Sequence, residues 1–132
     1  MRLRTLDHVV LTVTDIDATL SFYERALGMR RVSFGGGRFA LAFGDQKLNL
    51  HQAGNEFEPK AAWPTPGSAD LCFLIDGSID AAADELRALG VLTETGPVER
   101  TGARGPIRSI YVRDPDGNLV EVAEQIATGR DG

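Results

Sequence analysis

From Leu6 to Val13 the chain alternates, with Val9, Leu11 and Val13 on one side and His8, Val10 and Thr12 on the other, the pattern of a strand with one face packed beneath helices. His8 then points away from the helix layer. Ile16, Leu20, Tyr23 and Leu27 switch to helical spacing, with Asp15 placed as N-cap and Gly28 as the terminating residue. Three short strands are predicted next, over 29–34, 38–43 and 47–51, punctuated by Gly35-Gly36-Gly37 and Gly44-Asp45. The glycine triplet precedes no helix, so it reads as a hairpin loop and not as a phosphate cradle.

From 54 to 67 the pattern dissolves into a linker rich in proline and glycine, carrying Phe57 and Trp63. It restarts at 69–75, with Leu71, Phe73 and Ile75 on one face and Asp70, Cys72 and Leu74 on the other, followed by a helix bearing Ile79, Ala83, Leu86 and Leu89. Strands over 91–94, 108–112 and 119–123 complete the second half. A loop is expected around 96–106, and Asp114-Pro115-Asp116-Gly117 is read as a tight turn. Each half is thus β-α-β-β-β, with modules at about 3–53 and 68–125. An internal echo supports the division: Ile16-Asp17-Ala18 leading to Ala26-Leu27-Gly28 recurs as Ile79-Asp80-Ala81 leading to Ala88-Leu89-Gly90. The offset, about 62 positions, carries His8 onto Asp70.

At 132 residues these halves are expected to share one domain. Apolar content of 42% and charged content of 25% are ordinary for a globular chain, and no apolar run approaches a membrane span. The start of the chain lacks the apolar stretch of a secretory signal, so a cytoplasmic location is expected. A net charge of −5 argues against a nucleic-acid partner. The lone Cys72 cannot form an internal disulfide and is read as a small core residue.

Strand parity decides which polar residues share a face. Leu48 and Leu50 facing the helix leave Asn49 and His51 opposite; Val120 and Val122 likewise leave Glu121 opposite, with Ser109 and Tyr111 of the preceding strand. His8, His51, Asp70 and Glu121 therefore all fall on the face away from the helices. His51 and Glu121 are taken as matched positions near the ends of the two halves. Two imidazoles and two carboxylates suit a borderline divalent cation: zinc, nickel, iron(II), cobalt or manganese. Glu121 lies between two valines, where a carboxylate is costly to bury without a partner; the alternatives to a ligand or base there are an exposed sheet edge or an ion pair with an arginine. Arg100 and Arg104, set among glycines, are placed to close over an anionic group. Tyr111 joins them as a candidate substrate contact, and Trp63 is either a substrate-facing lid or the anchor of its linker.

With Leu6-Asp7-His8-Val9-Val10-Leu11-Thr12-Val13, Ser21-Phe22-Tyr23, Leu27-Gly28-Met29 and Asp114-Pro115-Asp116-Gly117-Asn118-Leu119-Val120-Glu121-Val122, the chain resembles the vicinal oxygen chelate superfamily. Its members include glyoxalase I, bleomycin- and fosfomycin-resistance proteins and extradiol dioxygenases. Leu48-Asn49-Leu50-His51, the run from Glu56 to Ala61 and Arg100-Thr101-Gly102-Ala103 look like the subgroup called glyoxalase domain-containing protein five and its bacterial relatives.

The resemblance implies an α+β fold of two paired β-α-β-β-β modules forming an open, cup-shaped mixed sheet around a divalent metal, in a homodimer. The family's ligand positions fall here on His8, His51 or Asp70, and Glu121. The chain departs from the many members with histidine where it has Asp70. The leading expectation is a metal-dependent lyase or isomerase acting on a small oxygenated substrate, with Glu121 as ligand and base. The alternatives are a metal-free protein that binds an antibiotic or metabolite, and an extradiol-type dioxygenase.

Overall fold

The computed structural model describes residues 1–127. In chain order the elements are β1 (His8–Val13), α1 (Ile16–Leu27), β2 (Arg30–Phe34), β3 (Arg38–Phe43), β4 (Gln46–Gln52), β5 (Asp70–Leu74), α2 (Ile79–Ala88), β6 (Thr95–Gly102), β7 (Gly105–Arg113) and β8 (Leu119–Gln125). The architecture is α+β: two four-stranded mixed sheets, each with one helix. The chain divides into two compact units, one of residues 1–69 together with 114–117, the other of residues 70–113 and 118–127. Among the described residues no helix is long and apolar enough to cross a membrane.

In the first unit the strands lie in the order β1-β4-β3-β2, with β1 parallel to β4 and the other pairs antiparallel. Val13, Leu41, Leu48 and Leu50 are buried with Leu20 and Tyr23 of α1, each full burial of such a side chain contributing about 1.5–3 kcal/mol. The predicted caps are present. Asp15 accepts a hydrogen bond from the Ala18 amide at 3.0 Å. Gly28, at φ +66°, ends the helix as its amide donates to the Glu24 carbonyl, a left-handed conformation that glycine adopts without steric cost.

The second unit repeats the topology as β5-β8-β7-β6, again with one parallel pair, β5 with β8. Ile79 and Leu86 of α2 are buried, as are Ile110, Val112, Val120 and Val122. Ser78 caps the helix by accepting from the Asp80 and Ala81 amides, while the Glu124 carboxylate accepts from the Ile79 amide at 2.8 Å. Such oxygens satisfy the amides that a helix start leaves open.

One stretch differs from the sequence expectation. Residues 91–94 form no strand, and the expected loop at 96–106 is largely β6, paired with β7 through Arg100 opposite Ile107 and Gly102 opposite Gly105. Its glycines and proline imitate a loop because β6 ends the sheet and carries a bulge between Thr95 and Val98, where such residues are tolerated. A Cβ at Gly96 would lie 2.4 Å from the Ser109 carbonyl oxygen, so the backbones approach more closely there than any side chain permits.

The 114–117 turn does more than reverse the chain. The Tyr23 hydroxyl donates to the Asp114 carboxylate at 2.7 Å, in a buried setting, and Asp116 accepts from the Thr14 amide at 3.2 Å. Burial, and then the charge of Asp114, hold the Tyr23 phenol well above the ordinary range. Tyr23→Phe should lower unfolding free energy in urea by about 1.5–3 kcal/mol, the range for a hydrogen bond to a charged group. The pH dependence follows from the raised value. The stabilisation is complete below the unfolded tyrosine's pKa, roughly 10, and is lost as pH rises beyond it; Tyr23→Phe should lack that part of the alkaline loss.

Candidate functional site

Strand parity in the second unit sorts side chains cleanly. Valines 120 and 122 turn to the buried side, while on the opposite face Cys72 of β5, Glu121 of β8 and Tyr111 of β7 occupy one row of the ladder. Leu74 and Ile107 lie on that face, and from β6 and its turn come Arg100 and Arg104; together with Gln125 these residues line a cavity of about 420 Å³. That volume lies within the range of small-molecule sites.

Among the described residues Glu121 is the one carboxylate in the lining. The Ser109 hydroxyl donates to its Oε2 at 2.6 Å, which orients the group. Beside it, burial first, and then the charge of Glu121, push the Cys72 thiol up to about 11. Cys72 is exposed and not a core residue, a correction that follows from its parity with Asp70. It is nonetheless a poor nucleophile, because the thiolate is disfavoured.

Arg100 donates through Nε to the Tyr111 hydroxyl at 3.0 Å and through Nη1 to the Glu99 carbonyl at 3.2 Å. The mobile, closing loop expected here is instead a paired strand, which places Arg100 by ladder register. Asp70 is exposed and pairs with Leu119, two rows from Glu121, a separation of roughly 7 Å along a strand.

The first unit holds the two histidines, but not together. His8 pairs with Lys47 and His51 with Thr12, so they lie on one sheet face four rows apart, roughly 13 Å at strand rise. His8 is exposed, with Nδ1 2.9 Å from the Asp7 carboxylate. His51 is only 4% exposed and meets the Phe57 ring edge-to-face at 5.5 Å, while the Arg38 guanidinium lies 4.2 Å from the centre of that ring. Burial, and then the positive charge of Arg38, lower the His51 pKa. Trp63, in the first unit, is 88% exposed and lies outside the second unit's cavity lining.

Register also revises the matching of the halves. Val10 pairs with Asn49 as Cys72 pairs with Glu121, so the counterpart of Glu121 is Asn49, and His51 corresponds to Ala123. The sequence reading missed Asn49, whose Oδ1 is buried and has no hydrogen-bond partner among the described residues. Its parity on the His51 face was the available signal; the helix-to-helix offset concealed the match because the last strands are offset by more than the first.

For a divalent ion, the second unit offers Glu121 and Cys72 in adjacent positions, and the first unit offers histidines too far apart to share one ion. No three His, Cys, Asp or Glu side chains among the described residues gather closely enough to hold a metal. Within neither unit taken by itself do these donors complete a metal site.

A family model for the Glyoxalase/Bleomycin resistance protein/Dioxygenase superfamily matches residues 5–122. Virulence protein STM3117 of Salmonella typhimurium is 55% identical over 121 residues, covering 92% of this chain and 84% of that protein. Its crystal structure superposes with a TM-score of 0.94 over 96% of this chain and 100% of the other, at 54% identity. Glyoxalase domain-containing protein RDO1 of Mycosarcoma maydis is 58% identical over 123 residues, 93% of this chain and 69% of that protein. A lactoylglutathione lyase from Agrobacterium tumefaciens shares 26% identity at a TM-score of 0.72, covering 94% and 96% of the two chains.

The thiol gives a direct check on this geometry. With its pKa near 11, Cys72 should carry on the order of a hundredfold less thiolate at pH 8 than a free cysteine and react correspondingly slowly with DTNB. Glu121→Gln should quicken the reaction a few-fold by removing the neighbouring charge; an unchanged rate would contradict the Cys72–Glu121 contact.

Proposed function

Because the chain belongs to the Glyoxalase/Bleomycin resistance protein/Dioxygenase superfamily, we propose that it is a glyoxalase-type lyase or isomerase, with Glu121 moving a proton of a small oxygenated substrate. The observation that carries this reading is Glu121 itself, the one carboxylate lining the cavity, held through Oε2 by Ser109 at 2.6 Å.

A hydrogen bond on one oxygen restricts the carboxylate's rotation and directs the group at whatever occupies the cavity. A base so oriented can take a proton from carbon or oxygen and return it to a neighbouring atom, a role that contributes about 10²–10⁴-fold. Leu74 and Ile107 add hydrocarbon to the same lining.

The divalent ion implied by the family resemblance stays part of the proposal, with Glu121 as its ligand in the second unit. Of the other candidates, Asp70 lies in the same unit, and His8 and His51 lie in the first. A homodimer in the cytoplasm completes the reading, and light scattering on the purified chain reports the assembly.

A second reading, a metal-free binder of an antibiotic or metabolite, draws on the hydrocarbon in the same lining. It requires that His8→Ala and Glu121→Ala leave ligand affinity intact. The dioxygenase alternative requires oxygen uptake with catechols, which the leading reading does not.

Two measurements test the leading reading. In D₂O, NMR should show catalysed exchange of the carbon-bound proton in at least one member of a panel of α-hydroxycarbonyl compounds, and Glu121→Gln should slow it by about 10²-fold or more. Titration with zinc, nickel, cobalt or manganese should raise the melting temperature of the wild type and not of Glu121→Gln. Absence of exchange and of any metal-induced shift would remove the enzyme reading.

A further inference from the structure

The described arginines of the second unit fall into two groups. Arg108 pairs with Asp80 at 3.0 Å, Arg113 with Glu94 at 3.0 Å, and Arg87 with Asp84. Arg100 and Arg104, the two that line the cavity, have no ion-pair partner among the described residues. A guanidinium keeps its charge at any ordinary pH, so among the described lining residues two positive side chains stand against the single carboxylate of Glu121.

Arg100 is also held in place. Its ladder position is opposite Ile107, yet its Nε reaches the hydroxyl of Tyr111, the residue that pairs with Glu121. The side chain therefore runs back along the sheet face toward the Glu121 row without closing an ion pair there. A cation and a carboxylate lining one cavity on the same face, but not touching, leave room for a molecule between them.

We propose that the cavity takes a singly charged organic acid with a compact apolar body, its carboxylate on Arg100 and Arg104, its body against Leu74 and Ile107, and its reactive position at Glu121. This identification of the substrate class rests on the reading of Glu121 as the working carboxylate. Tyr111 acts here as a positioning residue, aligning the Arg100 guanidinium for the two-pronged hydrogen bonding that carboxylates accept.

Calorimetric titration of the full chain with benzoate, phenylglyoxylate, hexanoate and 2-oxohexanoate, each against its methyl ester, tests the proposal. At least one acid should bind with at least tenfold preference over its ester. Arg100→Gln and Arg104→Gln should each weaken the acid about tenfold or more and remove the preference, with folding checked by circular dichroism. Tyr111→Phe should weaken the acid about three- to tenfold while leaving the ester unaffected, a selectivity that a merely structural defect would not produce. Binding of no acid, equal binding of acids and esters, or wild-type affinity in both arginine variants overturns the proposal. Glu121→Gln separates the two readings: it should retain or tighten acid binding while slowing proton exchange by about 10²-fold or more. Retained exchange in that variant would overturn the catalytic reading alone, whereas lost arginine dependence would overturn the substrate class alone.

Discussion

A four-stranded sheet with a single helix buries one face beneath that helix, and this constraint sorts every strand residue in both units. In the second unit Ile110, Val112, Val120 and Val122 are committed to the buried side, which obliges Ser109, Tyr111 and Glu121 to the other. A slip of one residue would exchange the two sets and cost the whole apolar layer. Polar contacts on the helix side reinforce the register. Glu124 accepts from the first amide of α2, and Arg108 of β7 bonds Asp80 of the same helix. The chemistry of the Glu121 face is therefore positioned by the packing of its opposite.

The same economy appears in the first unit, where Tyr23 belongs at once to the apolar stripe of α1 and to a buried polar contact. Its ring is wholly buried, and its hydroxyl meets Asp114, a residue that lies between β7 and β8 in the chain yet belongs to the first compact unit. The carboxylate also accepts from the Asp116 amide at 2.9 Å, shaping the turn from within. Turn composition made the reversal legible; the tyrosine partner, 91 residues away, was not, because no local pattern encodes a contact at that separation.

Helices, caps, most strands and the facing of Glu121 followed from periodicity, since each depends on neighbours within a few residues. The failures have physical causes. Strand β6 carries glycine and proline because it is a bulged strand at the end of its sheet, and these residues resemble a loop when read along the chain. Cys72 was assigned to the core from the average behaviour of cysteine, although its parity with Asp70 already placed it on the Glu121 side. His51 was matched with Glu121 by position along the halves, whereas the ladders match Asn49.

By itself, the sequence determined the repeated β-α-β-β-β order, the family resemblance and the side of the sheet on which each candidate residue stands, because alternation is a property of the strand's own backbone. Only the tertiary structure decided which candidates meet. Register set Cys72, Tyr111 and Glu121 in one row and separated His8 from His51 by four, and the β6–β7 hairpin brought Arg100 back to Tyr111. These outcomes depend on which strands pair and at what offset, a choice made by the burial of the whole sheet and not by any residue's immediate neighbours.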